Sequence, residues 1–124
     1  MDFSQDLVKG SIVPVILALV RERPMYGYEM VKQVNARTGG RLEWREGTLY
    51  PALHKLESEG LVRSEWRDAP SSDGGEPTAR QRKYYAITRK GRSELARRAS
   101  EWQEFSGAIN MVLGGGGEAA GGAR

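Results

Sequence analysis

The chain has 124 residues, enough for one small domain with a single thin core and too few for two. It contains no cysteine and one histidine, His54, so a disulfide framework and thiolate metal sites are excluded and neither a metal nor a cofactor is expected. The formal net charge of +3 says little about partners until its distribution along the chain is considered.

Residues Asp6 to Arg23 carry Leu7, Ile12, Val13, Ile16, Leu17, Leu19 and Val20. That set is too continuous for a one-sided surface helix, so the segment is predicted as a helix held between neighbours and ended by Pro24. Pro14 lies inside it and predicts a kink, or a helix that starts late near Ser11. The apolar run from Ile12 to Val20 is too short to span a membrane and lacks the basic flank and cleavage pattern of a signal peptide. A cytoplasmic protein without membrane contact is the expectation. After a turn at Pro24 to Gly27, YEMVKQVNARTGG predicts a second helix, with Met30, Val31 and Val34 on one side and Gly39 and Gly40 as its stop. Arg41 to Glu46 alternates Leu42 and Trp44 with charged neighbours, the pattern of a short strand or an extended connector.

The stretch GTLYPALHKLESEGLV, Gly47 to Val62, has both faces of a helix written into it. At 100° per residue Leu49, Ala52, Leu53 and Leu56 form one stripe, while Tyr50, Pro51, His54, Lys55 and Ser58 fall on the other side. Thr48 is the predicted N-cap, Pro51 then falls in the first turn, and Gly60 is the predicted left-handed stop. A helix of about three turns presenting aromatic, hydroxyl, imidazole and ammonium groups fits a DNA major groove. An ordinary surface helix would look the same.

LVRSEWRDA and RQRKYYAIT read as strands, separated by PSSDGGEPTA, so a β-hairpin with a long, mobile tip is predicted. Three helices followed by a hairpin is the order of a winged helix. Between Arg80 and Arg98 the basic residues Arg80, Arg82, Lys83, Arg89, Lys90, Arg92, Arg97 and Arg98 face one acid, Glu94, a concentration that attracts phosphate. Arg80, Arg82 and Lys83 fall on the return strand of the wing, where they could meet the DNA backbone. Thr88 is the predicted cap of a last helix, RKGRSELARRASEWQEFSGAINMVL. Its positions Leu95, Ala99, Trp102, Ser106, Ile109 and Leu113 follow the four-three spacing of a coiled-coil seam, widened by Phe105, Ala108 and Val112. A second subunit is the simplest cover for so broad a stripe; packing on the first helix of the same chain is the alternative. The tail GGGGEAAGGAR is expected to be disordered. The expected organisation is a winged-helix unit over residues 1–88, a dimerisation helix over 89–113 and a tail over 114–124, a mainly α fold with one small antiparallel β-hairpin.

Taken together, MYGYEMVKQV, TLYPALHKLESEGL and RKYYAITRKGRSEL resemble the PadR family of bacterial transcriptional regulators, over nearly all of residues 5–113. The single C-terminal helix is similar to the smaller subgroup of that family. The resemblance implies a winged-helix homodimer that represses promoters at a palindromic operator and is released by an effector. It implies DNA contacts at Tyr26 and Tyr28 beside Gly27, at Thr48, Tyr50, Pro51, His54 and Lys55 on the recognition helix, and at Arg80, Arg82 and Lys83 on the wing. One of Tyr84 and Tyr85 is then core. Dimerisation falls to Leu95, Ala99, Trp102, Ile109 and Leu113. Trp102, with Phe105 and Val15, is the candidate site for a small, aromatic effector, because some multidrug-sensing relatives place a tryptophan at that position across the dimer pore. The wing departs from the family in carrying Asp68, Asp73 and Glu76, which weakens phosphate attraction there.

A winged-helix module that binds protein instead of DNA is the second reading, and the basic run from Arg80 to Arg98 argues against it. An enzyme is the third. His54 has no adjacent acid or nucleophile in triad spacing and the glycines near Gly114 do not follow a strand, so no catalytic residue is expected.

Overall fold

Ser4 begins the first helix. Its hydroxyl accepts from the backbone N–H of Leu7 at 3.4 Å, and α1 (Gln5–Glu22) then runs unbroken through Pro14. Neither the late start near Ser11 nor an interruption at the proline occurs. The Pro14 ring forfeits one backbone bond, and the burial of Ile12, Ile16, Leu17, Leu19 and Val20 on the same helix outweighs it, each such side chain contributing roughly 1.5–3 kcal/mol at most. This computed structural model describes residues 3–69 and 81–114. The expected hairpin tip, with Arg80, Asp73 and Glu76, and the tail beyond Gly114 lie outside the described residues.

The remaining elements follow as β1 (Met25–Tyr26), α2 (Gly27–Arg37), α3 (Glu46–Ser58), β2 (Val62–Asp68), β3 (Gln81–Ile87) and α4 (Arg89–Leu113). The result is a mainly helical winged-helix fold with a small three-stranded antiparallel sheet in the order β1-β3-β2. The third strand corrects the sequence reading. The turn expected at Pro24 to Gly27 contains β1, where Met25 pairs with Tyr85 and Tyr26 with Tyr84, while residues 41–45 form no ladder and serve as connector. Two residues are too few for alternation to register in a sequence; what fixes β1 is the burial of Met25 and its pairing to a distant strand.

Helix α3 also starts earlier than predicted. Arg45 is the N-cap and offers no side-chain cap, so Thr48 lies inside the first turn and Pro51 inside the second. Pro51 therefore removes an interior bond to the Gly47 carbonyl, a cost offset by the buried Leu49, Leu53 and Leu56. The stop is as predicted. Gly60 takes φ +78°, the Leu61 N–H donates to the Leu56 carbonyl at 2.9 Å, and the Gly60 N–H donates to Glu57 at 3.0 Å, closing the helix and turning the chain into β2. Thr88 caps α4 by accepting from the Gly91 N–H at 3.0 Å while its own hydroxyl donates to the Gly60 carbonyl at 2.7 Å. One threonine thus ties the start of α4 to the end of α3. Lys90 strengthens the joint, its ammonium donating to the Glu59 carbonyl at 2.9 Å, where the negative end of α3 favours a cation. The core gathers α1, Met30 and Val34 of α2, the α3 leucines, Val62, Tyr85 and Ile87 of the sheet, and Leu95 of α4. Of the two adjacent tyrosines, Tyr85 is the core residue, at 2% exposure.

Candidate nucleic-acid interface

Burial of Leu49, Leu53 and Leu56 sets the rotation of α3, and as a consequence Pro51, His54, Lys55 and Ser58 are exposed together. Thr48 and Tyr50 are half-buried. The Tyr50 ring rests on Gly27, where an added methyl would come within 2.8 Å of its Cζ. Burial pushes the Tyr50 phenol up from its ordinary pKa, with the Glu46 carboxylate adding to the effect. Tyr50 is therefore a strut between α3 and the start of α2, with only part of its surface available to a partner. Beside it, Tyr28 is exposed and holds the Lys32 ammonium 5.1 Å from its ring centre, while Tyr26 is half-buried and meets Tyr84 edge to face at 5.5 Å.

Arg82 and Lys83 are neighbours in sequence but fall on opposite faces of β3. Lys83 turns towards α3, its Nζ 3.8 Å from Glu57, which also accepts from the Ser64 hydroxyl at 2.5 Å. The same ammonium lies 5.9 Å from the ring of Trp66, a residue that is 61% exposed. Glu57, Ser64 and Lys83 thus fasten the wing strands to α3, and the carboxylate offsets much of the field of Lys83. Arg82 lies on the outer face, its guanidinium 4.3 Å from the centre of the Tyr26 ring.

The basic run that is dense in sequence is not one patch in space. Lys90 is spent on the end of α3, and Arg97 and Arg98 both donate to Glu94 at 2.6 Å. Those two guanidinium bonds, that of Arg97 first, hold the Glu94 carboxyl down at about 2. Arg89 and Arg92 remain exposed on the first turn of α4.

A separate groove of about 370 Å³ runs between α1, the end of α2 and α4. Val15 and Trp102 line it together, with Pro14, Ala18 and Ala99, and Arg21 and Arg37 reach its edge. Phe105 does not line it; at 59% exposure it lies instead beside Arg97 and Glu101. Of the seam residues, Leu95 is core and Ala99 is groove wall, so the first half of α4 packs on α1 of the same chain. Ile109, Met111, Val112 and Leu113 are 42–85% exposed within the protomer. No described helix is long and apolar enough to cross a membrane.

Residues 16–97 match the profile of the Transcriptional regulator PadR-like family. The chain belongs to the PadR family. Its fold is similar to that of a transcriptional regulator from Clostridium thermocellum, with a TM-score of 0.73 and 31% identity over 86% of this chain and 96% of the other. It is similar in the same way to a PadR family regulator from Eggerthella lenta, with a TM-score of 0.71 and 31% identity over 88% of this chain and 87% of that one. Among curated sequences, an uncharacterised protein of Lysinibacillus sphaericus is 33% identical over 89% of this chain and 94% of its own length. A transcriptional regulator of Mycobacterium tuberculosis is 40% identical over 60% of each chain. As a PadR protein the chain is a DNA-binding transcriptional regulator and not an enzyme.

Three residues have structural parts that the sequence did not show: Trp44 and Gly27, which it named in other connections, and Gly91, which it did not single out. Trp44 is 5% exposed and packs in the core, with its Nε1 lacking a hydrogen-bond partner among the described residues. The alternation around it located the side chain without saying which way it faces. Gly27 and Gly91 are close-approach positions whose neighbours, Tyr50 and Leu61, lie far away in the chain.

Proposed function

We propose that this PadR protein acts in the cytoplasm as a homodimeric repressor that reads a palindromic operator with α3 and releases it when a small effector enters at or near the dimer interface. The observation that carries the proposal is the exposed face of α3. Pro51, His54 and Lys55 stand clear of the core on a helix whose other side is fixed by three buried leucines, while Tyr26 on β1, Tyr28 on α2 and Arg82 on the wing are at least partly exposed. In this reading residues 1–88 bind DNA and residues 89–113 bring two copies together. Half-sites then lie about one helical turn apart, roughly 34 to 36 Å, or a multiple of that. The effector reading draws support from the apolar groove that brings Val15 and Trp102 together, an indole wall suited to a flat aromatic molecule.

The test starts from duplexes that the protein itself selects out of a random-sequence pool. His54→Ala and Lys55→Ala are each expected to lower affinity for the selected duplex by about 1–3 kcal/mol, with relaxed preference at the bases they contact. Unchanged affinity and preference in the double variant would remove α3 from the reading role. A protein that selects no duplex at low salt yet remains folded would instead be an interaction module. For the effector, Trp102→Phe is expected to abolish the ligand-dependent part of the tryptophan fluorescence change seen with planar aromatic compounds, and to leave the DNA bound in their presence. If Trp102→Phe released DNA as the unaltered chain does, the effector site would lie elsewhere.

A further inference from the structure

The outer face of the sheet contains a pairing that works against strand stability. The register of β2 and β3 sets Arg67 directly opposite Arg82, and like charges directly opposite weaken an antiparallel pair. Alternate residues share a face, so Arg67 and Arg82 lie on the side that also carries Tyr84 and, through the pairing of β1 with β3, Tyr26. Each arginine is seated on an aromatic ring. The guanidinium carbon of Arg82 is 4.3 Å from the ring centre of Tyr26, that of Arg67 is 4.8 Å from Tyr84, and the two rings meet edge to face at 5.5 Å. A cation held by a π face keeps its N–H donors for other partners. Glu65 takes one of them, accepting from the Arg67 Nε at 2.8 Å. Arg63 adds a further cation, so the described part of this β2–β3 face has three arginines to one carboxylate.

We infer that Arg67 and Arg82 form a paired guanidinium clamp for one backbone phosphate of the bound DNA, with Tyr26 and Tyr84 as positioning residues. The inference rests on the DNA-binding reading of this chain and adds to it a residue, Arg67, and a geometry. A phosphate between the two guanidiniums turns their repulsion into two attractions and accepts from both forks. Lys83 is outside the clamp because it faces Glu57 across the sheet.

The test measures the salt dependence of binding to duplexes selected by the unaltered chain. Arg67→Gln is expected to bind about tenfold more weakly at low salt, to lose affinity evenly over all sequences, and to show a log K against log salt slope shallower by about 0.9 per wing. Arg67→Lys keeps the charge and is expected to keep the slope, with affinity between the two. Melting temperatures within about 3 °C of the unaltered chain identify both variants as folded. Arg67→Gln with unaltered slope and affinity overturns the clamp, and the DNA-binding reading survives if the His54→Ala, Lys55→Ala double variant loses binding. If the unaltered chain selects no duplex, reading and clamp fall together.

Discussion

Gly91→Ala is expected to lower the melting temperature by about 10 to 15 °C, although it replaces a glycine by a better helix former. In an unhindered helix the exchange would add up to about 1 kcal/mol. Here the first turn of α4 lies against the chain where α3 hands over to β2. A methyl on Gly91 would overlap the Leu61 carbonyl oxygen, come within 3.1 Å of the Leu61 carbonyl carbon and lie 2.8 Å from Ile87 Cγ1. Two of those three atoms are backbone and cannot swing aside. They are also held from other directions, since the Leu61 carbonyl accepts from the Thr88 N–H at 3.1 Å and the Leu61 N–H closes α3. Overpacking a rigid site costs about 1–3 kcal/mol, and the absence of a flexible neighbour puts this one at the upper end. At roughly 4–5 °C per kcal/mol for a chain of this length, the shift should be evident in a thermal melt followed by far-UV circular dichroism. Gly107→Ala supplies the contrast. Nothing among the described residues lies within 4 Å of its added methyl, so it should leave the melt unchanged or raise it. A neutral Gly91→Ala would mean that α4 and Leu61 are not in close approach.

What could be read in the sequence follows from the range over which each feature is determined. The leucine stripe of α3, its glycine stop and the Thr88 cap depend on residues within a turn or two, and all three appear in the structure. The hairpin strands were legible through residue-type enrichment and turn composition. The N-cap of α3 was misread because Thr48 has capping chemistry and Arg45 does not; the helix starts at Glu46 without a side-chain cap because the core, not the cap, determines its beginning. β1 could not be read at all, since two residues become a strand only when β3 lies beside them. The basic run shows the same limit from the other side. Glu94 with Arg97 and Arg98 is an i+3 and i+4 arrangement visible in the sequence, so part of that run was legibly neutralised. The loss of Lys90 to the Glu59 carbonyl and of Lys83 to Glu57 needed the tertiary fold. For the interface, periodicity showed that His54 and Lys55 point away from the leucines. It could not show that Tyr50, on the same side, is drawn onto Gly27.

Aspartate at both Ile109 and Leu113 is expected to give a monomer and to weaken operator binding by a factor of about a hundred to ten thousand. Both side chains lie on the second half of α4, at 42% and 74% exposure, past the point where Leu95 and Ala99 dock the helix to its own chain. An apolar stripe that continues beyond its intramolecular partner is the feature that favours a second copy. Charges placed there have no compensating partner in a helix-to-helix seam, and burying two of them per protomer, opposite two more across a twofold axis, is prohibitive. The winged-helix unit should stay folded, because neither residue belongs to the core cluster. Such a monomer retains one reading helix. It loses the effective concentration by which one bound half-site presents the second, a gain of about 10² to 10⁴ in linked binding. Sedimentation or light scattering would report the mass, and a binding titration on full and half operators would report the coupling. The two chains should bind a half-site alike and differ on the full site. A double variant that stays dimeric would assign dimerisation to another surface. A true monomer that binds the full operator as tightly as the unaltered chain would show that α4 does not couple two readers.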